Sequence, residues 1–461
     1  METNCRVKNS SPYFQTAFDV AEFRQRRHQI AQAIGSGAVA VLQGAPESGA
    51  FDVFRQANEF FYLSGVEVPH AYLLIRGTSG ESTLYLPRHD PKHERSEGAM
   101  LHADEPETVA RITGIENIKP LESLKDDLAC GSIVFTPFAP AEGRLVCRDT
   151  AQHALSSRAR DPWDGRESSE QRFRELLQRT CAIKSVRDLS PTLDALRIIK
   201  SEAEISVMRE AGRLSAIGVM EAMRCSRPGA FEYELATTAE YIFAVHGARG
   251  SGYRPIVASG RNIWNAHYYR NNCKLRAGDL VLMDCAPDYC NYTSDIGRMW
   301  PVDGTYQPWQ RELYGFIVEY HQTLLSKIRP GVTAAQIHQE CAAHMAPLIQ
   351  NMHWTKPSFK HAAEETLRFQ GHLSHGVGMA VHDAGNYQTG VLRPGMVFAV
   401  DPQMWVKEEA LYIRVEDTVV VTEKGVENLT AQAPLELDAV EWMIREAGAR
   451  GRKTSLLSPA S

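Results

Sequence analysis

Two acidic residues in the second half of the chain lie inside apolar segments. The segment Leu280–Trp300 has the pattern of an apolar strand, a polar turn and a second strand, and Asp284 and Asp295 fall within the strands. If these two residues face each other, the turn centres on Tyr289-Cys290, where the polar residues lie. Side chains directly opposed in a hairpin have Cβ atoms about 4.5–5.5 Å apart, so like charges there repel.

A second hairpin repeats this arrangement. It is predicted from Met396 to Val421 and contains Asp401 and Glu416, which face each other if the turn centres on Glu408-Glu409. Four clustered carboxylates cannot all stay ionised without compensation, and two divalent cations would supply it. The ordinary alternative is a set of four solvated surface acids, although the apolar neighbours of Asp295 and Glu416 favour burial.

Between the hairpins lies a glycine-rich stretch, Gly371–Asp383, with three histidines. One of these imidazoles could join the carboxylates as a metal ligand, although a lone histidine is more often structural. Oxygen-rich sites with one imidazole suit Mn²⁺ best, and Co²⁺ and Zn²⁺ are also compatible. Cys285 follows Asp284 directly, so in a strand its side chain points to the other face and is expected to be a buried hydrophobe.

The elements that must position these residues occur twice. Each hairpin follows two helices, and an Arg-Pro-Gly turn separates the helices of each pair. The repeat predicts a duplicated, pseudo-symmetric domain, although turn chemistry alone leaves coincidence open. The predicted helices run from the capping box at Ser201 to about Cys225, over Phe231–His246, from about Trp309 to Ile328, and from the capping box at Thr333 to about Ile349.

The first part of the chain has a different pattern. A helix is predicted over residues 22–34, followed by short strands between turns rich in Gly and Pro, which indicates a mixed α/β fold. A polar segment, Ser156–Ser169, is predicted to be a loop, and the domain boundary is placed near Pro191. The predicted strands are Ala38–Leu42, Ala71–Ile75, Ser82–Leu86 and Ser132–Thr136. The predicted domains are residues 1–190, residues 191–445 and a flexible tail at 446–461.

Composition limits the classes of function. The 461 residues are 43% apolar and 23% charged, which is ordinary for a globular protein. A net charge of −6 argues against nucleic-acid binding, and no apolar run approaches the ~18 residues of a membrane span. The first residues form no apolar signal region, and nine cysteines without CxxC pairs indicate reduced thiols, so a cytoplasmic location is predicted.

Specific motifs are spread from Phe23 to about Thr430. The N-terminal ones are FRQANEFFYLSG (54–65) and LRIIKSEAEISVMREA (196–211). The C-terminal ones are HYYRNNCKLRAGDLVLMDCAPDYCNYTSDIGRMWPVDG (267–304), HLSHGVGMAVHDAG (372–385), LRPGMVFAVDP (392–402) and IRVEDTVVVTEKG (413–425). These motifs resemble those of the aminopeptidase P and prolidase family of pita-bread metallopeptidases.

The resemblance implies an aminopeptidase P-like N-terminal domain followed by a pseudo-symmetric pita-bread catalytic domain with two divalent ions, for which Mn²⁺ is the best fit. Asp295 and Glu416 match the residues that bridge the two metals in the family. His267 and His382 match histidines that contact the substrate, and Arg414 matches an arginine beside the metal carboxylates. The five implied ligand positions are Asp284, Asp295, His375, Asp401 and Glu416.

The implied reaction is hydrolysis of the bond between an N-terminal residue and proline, in short peptides or N-terminal segments, by a metal-bridging hydroxide. That bond is a tertiary amide without an N–H. In this picture the metals activate water and polarise the carbonyl, and His382 with His267 stabilises the oxyanion or donates a proton. The resemblance also implies a homodimer or homotetramer in which the N-terminal domain caps the site.

Three positions depart from the family pattern. The usual Glu-Pro-Gly is Asp401-Pro-Gln403, and the glutamate it replaces serves the family as ligand and proton shuttle. Aspartate is shorter by about 1.5 Å, against an active-site tolerance of about 0.5 Å, so either the backbone shifts or one metal is held weakly. The usual His-Gly is inverted to Gly371-His372, which removes or displaces an imidazole that faces the substrate, and the usual Asp-Ala-Gly is Asp284-Cys-Ala286.

Three other functions remain open on the sequence. A prolidase would act on Xaa-Pro dipeptides. A creatinase-like amidinohydrolase would work without metal, but such relatives replace the ligand carboxylates that this chain keeps. A pita-bread module that binds peptides without hydrolysis is motivated by the departures at Asp401 and Gly371.

Overall fold

The computed structural model describes residues 14–47, 49, 51–128, 133–180, 183–385, 387 and 390–449. The chain separates into two compact units, Met1–Arg197 and Ile198–Ser461. The division between the units lies after the helix Ser190–Arg197, whereas the boundary expected near Pro191 lies at the start of that helix. Among the described helices, none is long and apolar enough to cross a membrane.

The first unit contains a six-stranded mixed sheet in the order β4-β3-β2-β1-β5-β6, antiparallel at β1–β2 and β2–β3 and parallel at the other pairs. Its strands are β1 (Ala38–Gln43), β2 (Tyr72–Arg76), β3 (Ser82–Leu86), β4 (Asn117–Pro120), β5 (Ile133–Thr136) and β6 (Ser185–Asp188). Its helices are α1 (Val20–Ile34), α2 (Asn58–Ser64), α3 (Pro91–Glu97), α4 (Pro106–Thr113), α5 (Leu124–Leu128), α6 (Arg148–Arg158), α7 (Ser169–Thr180) and α8 (Ser190–Arg197).

The mixed α/β pattern predicted for this unit is present. The helix expected over 22–34 is α1, which begins where the side chain of Asp19 accepts a hydrogen bond from Ala21 N. Three predicted strands match to within one residue at each end, and the fourth is seen as β5, since Ser132 lies outside the described residues. The polar segment is irregular only over 159–168, because α6 and α7 extend into it from both sides.

The second unit is built on an antiparallel sheet in the order β10-β13-β9-β8-β7, with β14 paired to β13 and a separate ribbon, β11-β12. Its strands are β7 (Ile256–Ser259), β8 (Leu280–Asp284), β9 (Ile296–Pro301), β10 (Val397–Val400), β11 (Gln403–Val406), β12 (Leu411–Arg414), β13 (Glu416–Val421) and β14 (Val426–Asn428). Its helices are α9 (Glu202–Cys225), α10 (Glu232–Val245), α11 (Pro308–Lys327), α12 (Ala334–Asn351), α13 (Pro357–Arg368) and α14 (Leu437–Ala449).

The repeated order of two helices and a hairpin is present. The pair α9 and α10 precedes β8-β9, and the pair α11 and α12 precedes the hairpin of β10 to β13. Both predicted capping boxes form, with Ser201 Oγ accepting from Glu204 N and Thr333 Oγ1 accepting from Gln336 N. Residues 446–449 continue α14 rather than starting the expected tail, and the rest of that tail lies outside the described residues.

The first hairpin differs from the predicted register, because Asp284 faces Gly297 and not Asp295. Its turn consists of Cys290-Asn291, with φ values of 50° and 67°. Two residues of positive φ form the type of turn whose twist matches that of the flanking strands, and such a turn fixes the register. The error is two residues, so Asp284 and Asp295 still lie on one face, since side chains alternate with a period of two.

The second hairpin has the predicted register. The pair Val400 and Asp417 in β10-β13 and the pair Gln403 and Arg414 in β11-β12 belong to the same alignment. Continued through the break between them, this alignment sets Asp401 opposite Glu416. The break contains Pro402, which has no N–H to donate to a partner strand.

Candidate metal centre

The five expected ligands converge at the ends of the central strands of the second unit. Their carboxylates are all buried, none being more than 8% exposed, and the imidazole is half-buried. Asp284 ends β8, Asp295 precedes β9, Asp401 follows β10, Glu416 opens β13, and His375 lies in the glycine-rich stretch. The side chain of Cys285 is buried in the apolar core, as expected for a residue on the sheet face opposite Asp284.

Three of these side chains are close enough to share one ion. His375 Nε2 lies 3.4 Å from Asp295 Oδ2 and 3.6 Å from Glu416 Oε1. One ligand atom of each of the three lies within 4.8 Å of the others. His375 Nδ1 is 3.2 Å from Gly376 O, a contact that fixes the ring with Nε2 towards the carboxylates.

Backbone pairing places His375 beside β10. Ala399 N donates to His375 O at 2.9 Å, and Asp401 N donates to Leu373 O at 3.1 Å. An isolated bridge joins Gly376 to Phe398. The glycine-rich stretch therefore runs along the edge of the sheet, which brings its imidazole to the strand ends that carry the acids.

Tyr253 joins two of the acids. Its hydroxyl lies 2.5 Å from Asp284 Oδ1 and 2.6 Å from Asp295 Oδ1. A single hydroxyl proton serves one carboxylate at a time, so the phenol holds the pair together without neutralising it. The sequence analysis missed Tyr253, because the segment SGYRP carries no periodicity or spacing that marks it.

Arg414 is the cation at the centre. Its Nη2 donates to Asp284 Oδ2 at 2.5 Å and to Glu416 Oε2, and its Nε lies 3.7 Å from Asp401 Oδ1. Burial opposes the charge of the guanidinium, but the three carboxylates outweigh it and raise the pKa of Arg414 well above its usual value. The structure thus places Arg414 beside the acids, as the resemblance implied.

The acids do not titrate alike. Burial raises the pKa of Asp295 well above its usual value, and the charges of Glu416 and Asp284 add to the effect. Burial also raises the pKa of Asp401 to about 7. Burial acts in the same direction on Glu416, but Arg414 and then His375 outweigh it and lower its pKa to about 2. Neighbouring carboxylates share protons in this way when their charges are not balanced.

The residues present fit divalent cations. Asp401 Oδ1 is buried and accepts no hydrogen bond from the part of the chain that the structure describes. Four carboxylates meet one guanidinium, so negative charge remains in excess. Carboxylate oxygens with one imidazole form a donor set that suits Mn²⁺.

Other residues hold the acids from behind. Thr418 Oγ1 accepts from Asp295 N at 2.7 Å and donates to Asp295 O at 2.9 Å, which ties the start of β9 to β13. Arg298 Nη1 donates to Glu416 O at 2.7 Å, and its Nη2 donates to Asp417 Oδ1 at 2.6 Å. The pattern gave no signal for Thr418 or Arg298 as supports, because both read as ordinary strand residues.

The expected substrate histidines occupy different positions. The His382 ring lies 4.0 Å from the His375 ring, centroid to centroid. His267 is exposed, within electrostatic range of Asp284 and His382. His372, the histidine of the Gly371-His372 inversion, packs against Phe369 with ring centroids 5.3 Å apart.

Comparison with known proteins matches both units. Residues 206–423 match the model of metallopeptidase family M24, and residues 23–131 match that of the aminopeptidase P N-terminal domain. The chain is 30% identical to the Xaa-Pro aminopeptidase of Escherichia coli, covering 91% of this chain and 97% of that protein. It is 27% identical to the mitochondrial intermediate cleaving peptidase 55 of Arabidopsis thaliana, covering 92% and 83%.

Solved structures resemble the whole fold. The structure of aminopeptidase P from E. coli with the inhibitor Pro-Leu has a TM-score of 0.77 and 28% identity to this chain, covering 94% of this chain and 100% of that one. A proline aminopeptidase P II from Yersinia pestis has a TM-score of 0.76 and 28% identity, covering 93% and 100%.

Proposed function

Because the chain belongs to the Xaa-Pro aminopeptidase family of M24 metallopeptidases, we propose that it releases the N-terminal residue of peptides whose second residue is proline. Its fold is that of aminopeptidase P, an N-terminal mixed α/β domain and a pita-bread catalytic domain. The observation that carries the proposal is the buried cluster of four carboxylates and one imidazole. A peptide-binding module has no evident need for such a cluster, and a metal-free amidinohydrolase would have replaced its acids.

Two divalent ions, for which Mn²⁺ is the best fit, are the cofactor of this proposal. When bound, such ions lower the pKa of a water towards neutrality and polarise the scissile carbonyl. Their ligands would be Asp284, Asp295, His375, Asp401 and Glu416.

The remaining steps fall to side chains. His382, beside His375, and His267 would donate hydrogen bonds to the carbonyl oxygen as it gains negative charge. The Asp401 carboxylate would take the proton of the attacking water and return it to the proline nitrogen, which leaves readily only when protonated. Arg414 would keep Asp284 and Glu416 in place during both transfers.

The test is a panel of Xaa-Pro-Yaa peptides, with matched Xaa-Ala-Yaa peptides and Xaa-Pro dipeptides, assayed with Mn²⁺ and after chelation. We expect Mn²⁺-dependent release of Xaa from the proline series, whereas activity confined to dipeptides would favour a prolidase. Asp295→Ala should abolish turnover and lower bound metal on elemental analysis. The matched control is Asp303→Ala, an exposed acid that should leave both unchanged. Full activity of Asp295→Ala, or no turnover by folded, metal-loaded protein, would contradict the proposal.

A cytoplasmic location and a homodimer or homotetramer are part of the proposal. The described cysteines support a reducing compartment, since all six are free thiols. The chain has a mass of 51.4 kDa, so light scattering should give two or four times that value. A monomer in light scattering would contradict the oligomer.

A further inference from the structure

The first residue of β11 reaches the metal centre from outside the ligand set. Gln403 Nε2 donates to Asp401 Oδ2 at 2.6 Å. The other oxygen, Asp401 Oδ1, is buried, accepts no hydrogen bond from the described residues, and lies 3.7 Å from Arg414 Nε. The two oxygens therefore differ, since one is held by an amide and the other remains open towards the cluster.

The backbone fixes both members of this contact. Asp401 N donates to Leu373 O at 3.1 Å. Gln403 pairs with Arg414 across the ribbon, and its carbonyl accepts from Thr366 Oγ1 at 3.3 Å. Residues two apart in an extended chain present their side chains on one face, which brings the amide to the carboxylate.

A cavity lies next to this contact. It has a volume of about 490 Å³ and is lined by Asp401 and Gln403 together with Phe369, His372 and Trp405, among others. Rotation of the aspartate about its side-chain bonds would turn its carboxylate away from the cluster and towards this cavity. The Gln403 amide opposes that rotation, because hydrogen bonds to a carboxylate are short and strong.

We propose that Gln403 is a positioning residue for Asp401, holding Oδ2 so that Oδ1 faces the metal ions. The proposal rests on the proposed function. A positioning residue is needed at this point because the Asp401 side chain is short, and a short carboxylate that must reach an ion tolerates little rotational error. Partners that orient ligands in this way typically contribute 10–100-fold to metal affinity.

The test is titration of chelated, metal-free protein with Mn²⁺ by calorimetry, together with the visible spectrum of Co²⁺-loaded protein, which reports ligand geometry. Gln403→Leu keeps the bulk of the side chain and removes the hydrogen-bond donor. It should lower the affinity for the more weakly bound of the two ions about 10–100-fold and change the Co²⁺ spectrum. The matched control is Glu408→Gln, which lies on the same cavity and should leave both readouts unchanged. Gln403→Asn, whose amide is one methylene shorter, supplies the same test should Gln403→Leu fail to fold.

A double-mutant cycle shows whether Gln403 acts through Asp401. In an Asp401→Ala background, adding Gln403→Leu should change affinity by less than about two-fold, because the partner is gone. Folded Gln403→Leu with wild-type affinities and spectrum, or an equal loss in the Asp401→Ala background, would overturn the inference alone. A wild-type protein that binds no ion and cleaves no Xaa-Pro peptide would overturn the proposed function as well.

Discussion

The buried ion pair of Arg298 and Asp417, behind the cluster of carboxylates, gives the most quantitative prediction. Arg298 and Asp417 are both wholly buried, and the arginine also donates to Glu416 O and Ala433 O. Replacing the arginine in Arg298→Met would leave the Asp417 carboxylate with the Thr430 hydroxyl as a hydrogen-bond donor and the His321 ring 3.4 Å away, but without the guanidinium charge.

The expected cost follows from that uncompensated charge. Removing one partner of a buried ion pair typically destabilises a protein by ~3–5 kcal/mol. Since each ~1.4 kcal/mol is a factor of ten in an equilibrium constant, the unfolded fraction should rise about 100-fold or more. This is a large share of the ~5–15 kcal/mol by which a native protein is stable.

Urea-induced unfolding, followed by tryptophan fluorescence, measures this cost. The matched control is Arg209→Met, the same substitution at an arginine that is 44% exposed and paired at 2.7 Å with Glu427, whose side chain is 38% exposed. Exposed pairs contribute ~0–1 kcal/mol, so the control should lie at least ~2 kcal/mol above Arg298→Met in stability.

A second substitution separates charge from packing. Adding Asp417→Asn to Arg298→Met removes the buried charge, so the double variant should recover part of the lost stability. Equal losses for Arg298→Met and Arg209→Met would refute the reasoning. So would a double variant less stable than Arg298→Met.

Three further predictions concern pH, space and metal. The pKa of His321 is lowered to about 4 because burial outweighs the Asp417 carboxylate 3.4 Å away; an unfolded histidine binds its proton near pH ~6.5. Between these two pH values the unfolded state therefore binds more protons than the folded state, so the free energy of unfolding should fall by up to ~3 kcal/mol as the pH drops from about 6.5 towards 4. His321→Gln should flatten the dependence of the urea midpoint on pH. An unchanged dependence in that variant would contradict this assignment. A Cβ on Gly297 would lie 3.0 Å from Glu416 Cβ, so Gly297→Ala should lower kcat and Mn²⁺ affinity. Gly315→Ala is the control, because its added Cβ would meet none of the described residues within 4 Å. Equal behaviour of the two variants would count against the close fit at Gly297. Chelation should lower Tm in scanning calorimetry, since ions at a hundredfold excess over Kd stabilise by ~2.7 kcal/mol; an unmoved Tm would show that no ion was bound.

The two hairpins show what the sequence could and could not predict. For the second hairpin, the carboxylates and the polar turn imply the same alignment, and that alignment is present. For the first, the prediction missed that Cys290 and Asn291 both adopt positive φ, because cysteine is not a residue expected there. The face of each carboxylate was still predicted, since an error of two residues preserves it.

The residues that surround the ligands could not be predicted in the same way. Tyr253 and Gln403 act through contacts made when separate segments meet, or through one side chain reaching a neighbour, and neither leaves a periodic trace. Gln403 was noted as a departure from the family motif, but its hydrogen bond to Asp401 is visible only in the structure.

The interruption at Pro402 separates the second hairpin into two parts that position different residues. Strands on one side of it, β10 and β13, lead directly to Asp401 and Glu416, whereas the ribbon β11-β12 beyond it leaves the main sheet and carries Gln403 and Trp405 to the cavity wall. Changes in the ribbon can therefore reshape that wall without altering the strand pairing beneath the acids. Substitutions at Trp405, which leave Gln403 and Arg414 in the ribbon unchanged, are accordingly the ones expected to reshape the cavity next to the metal centre.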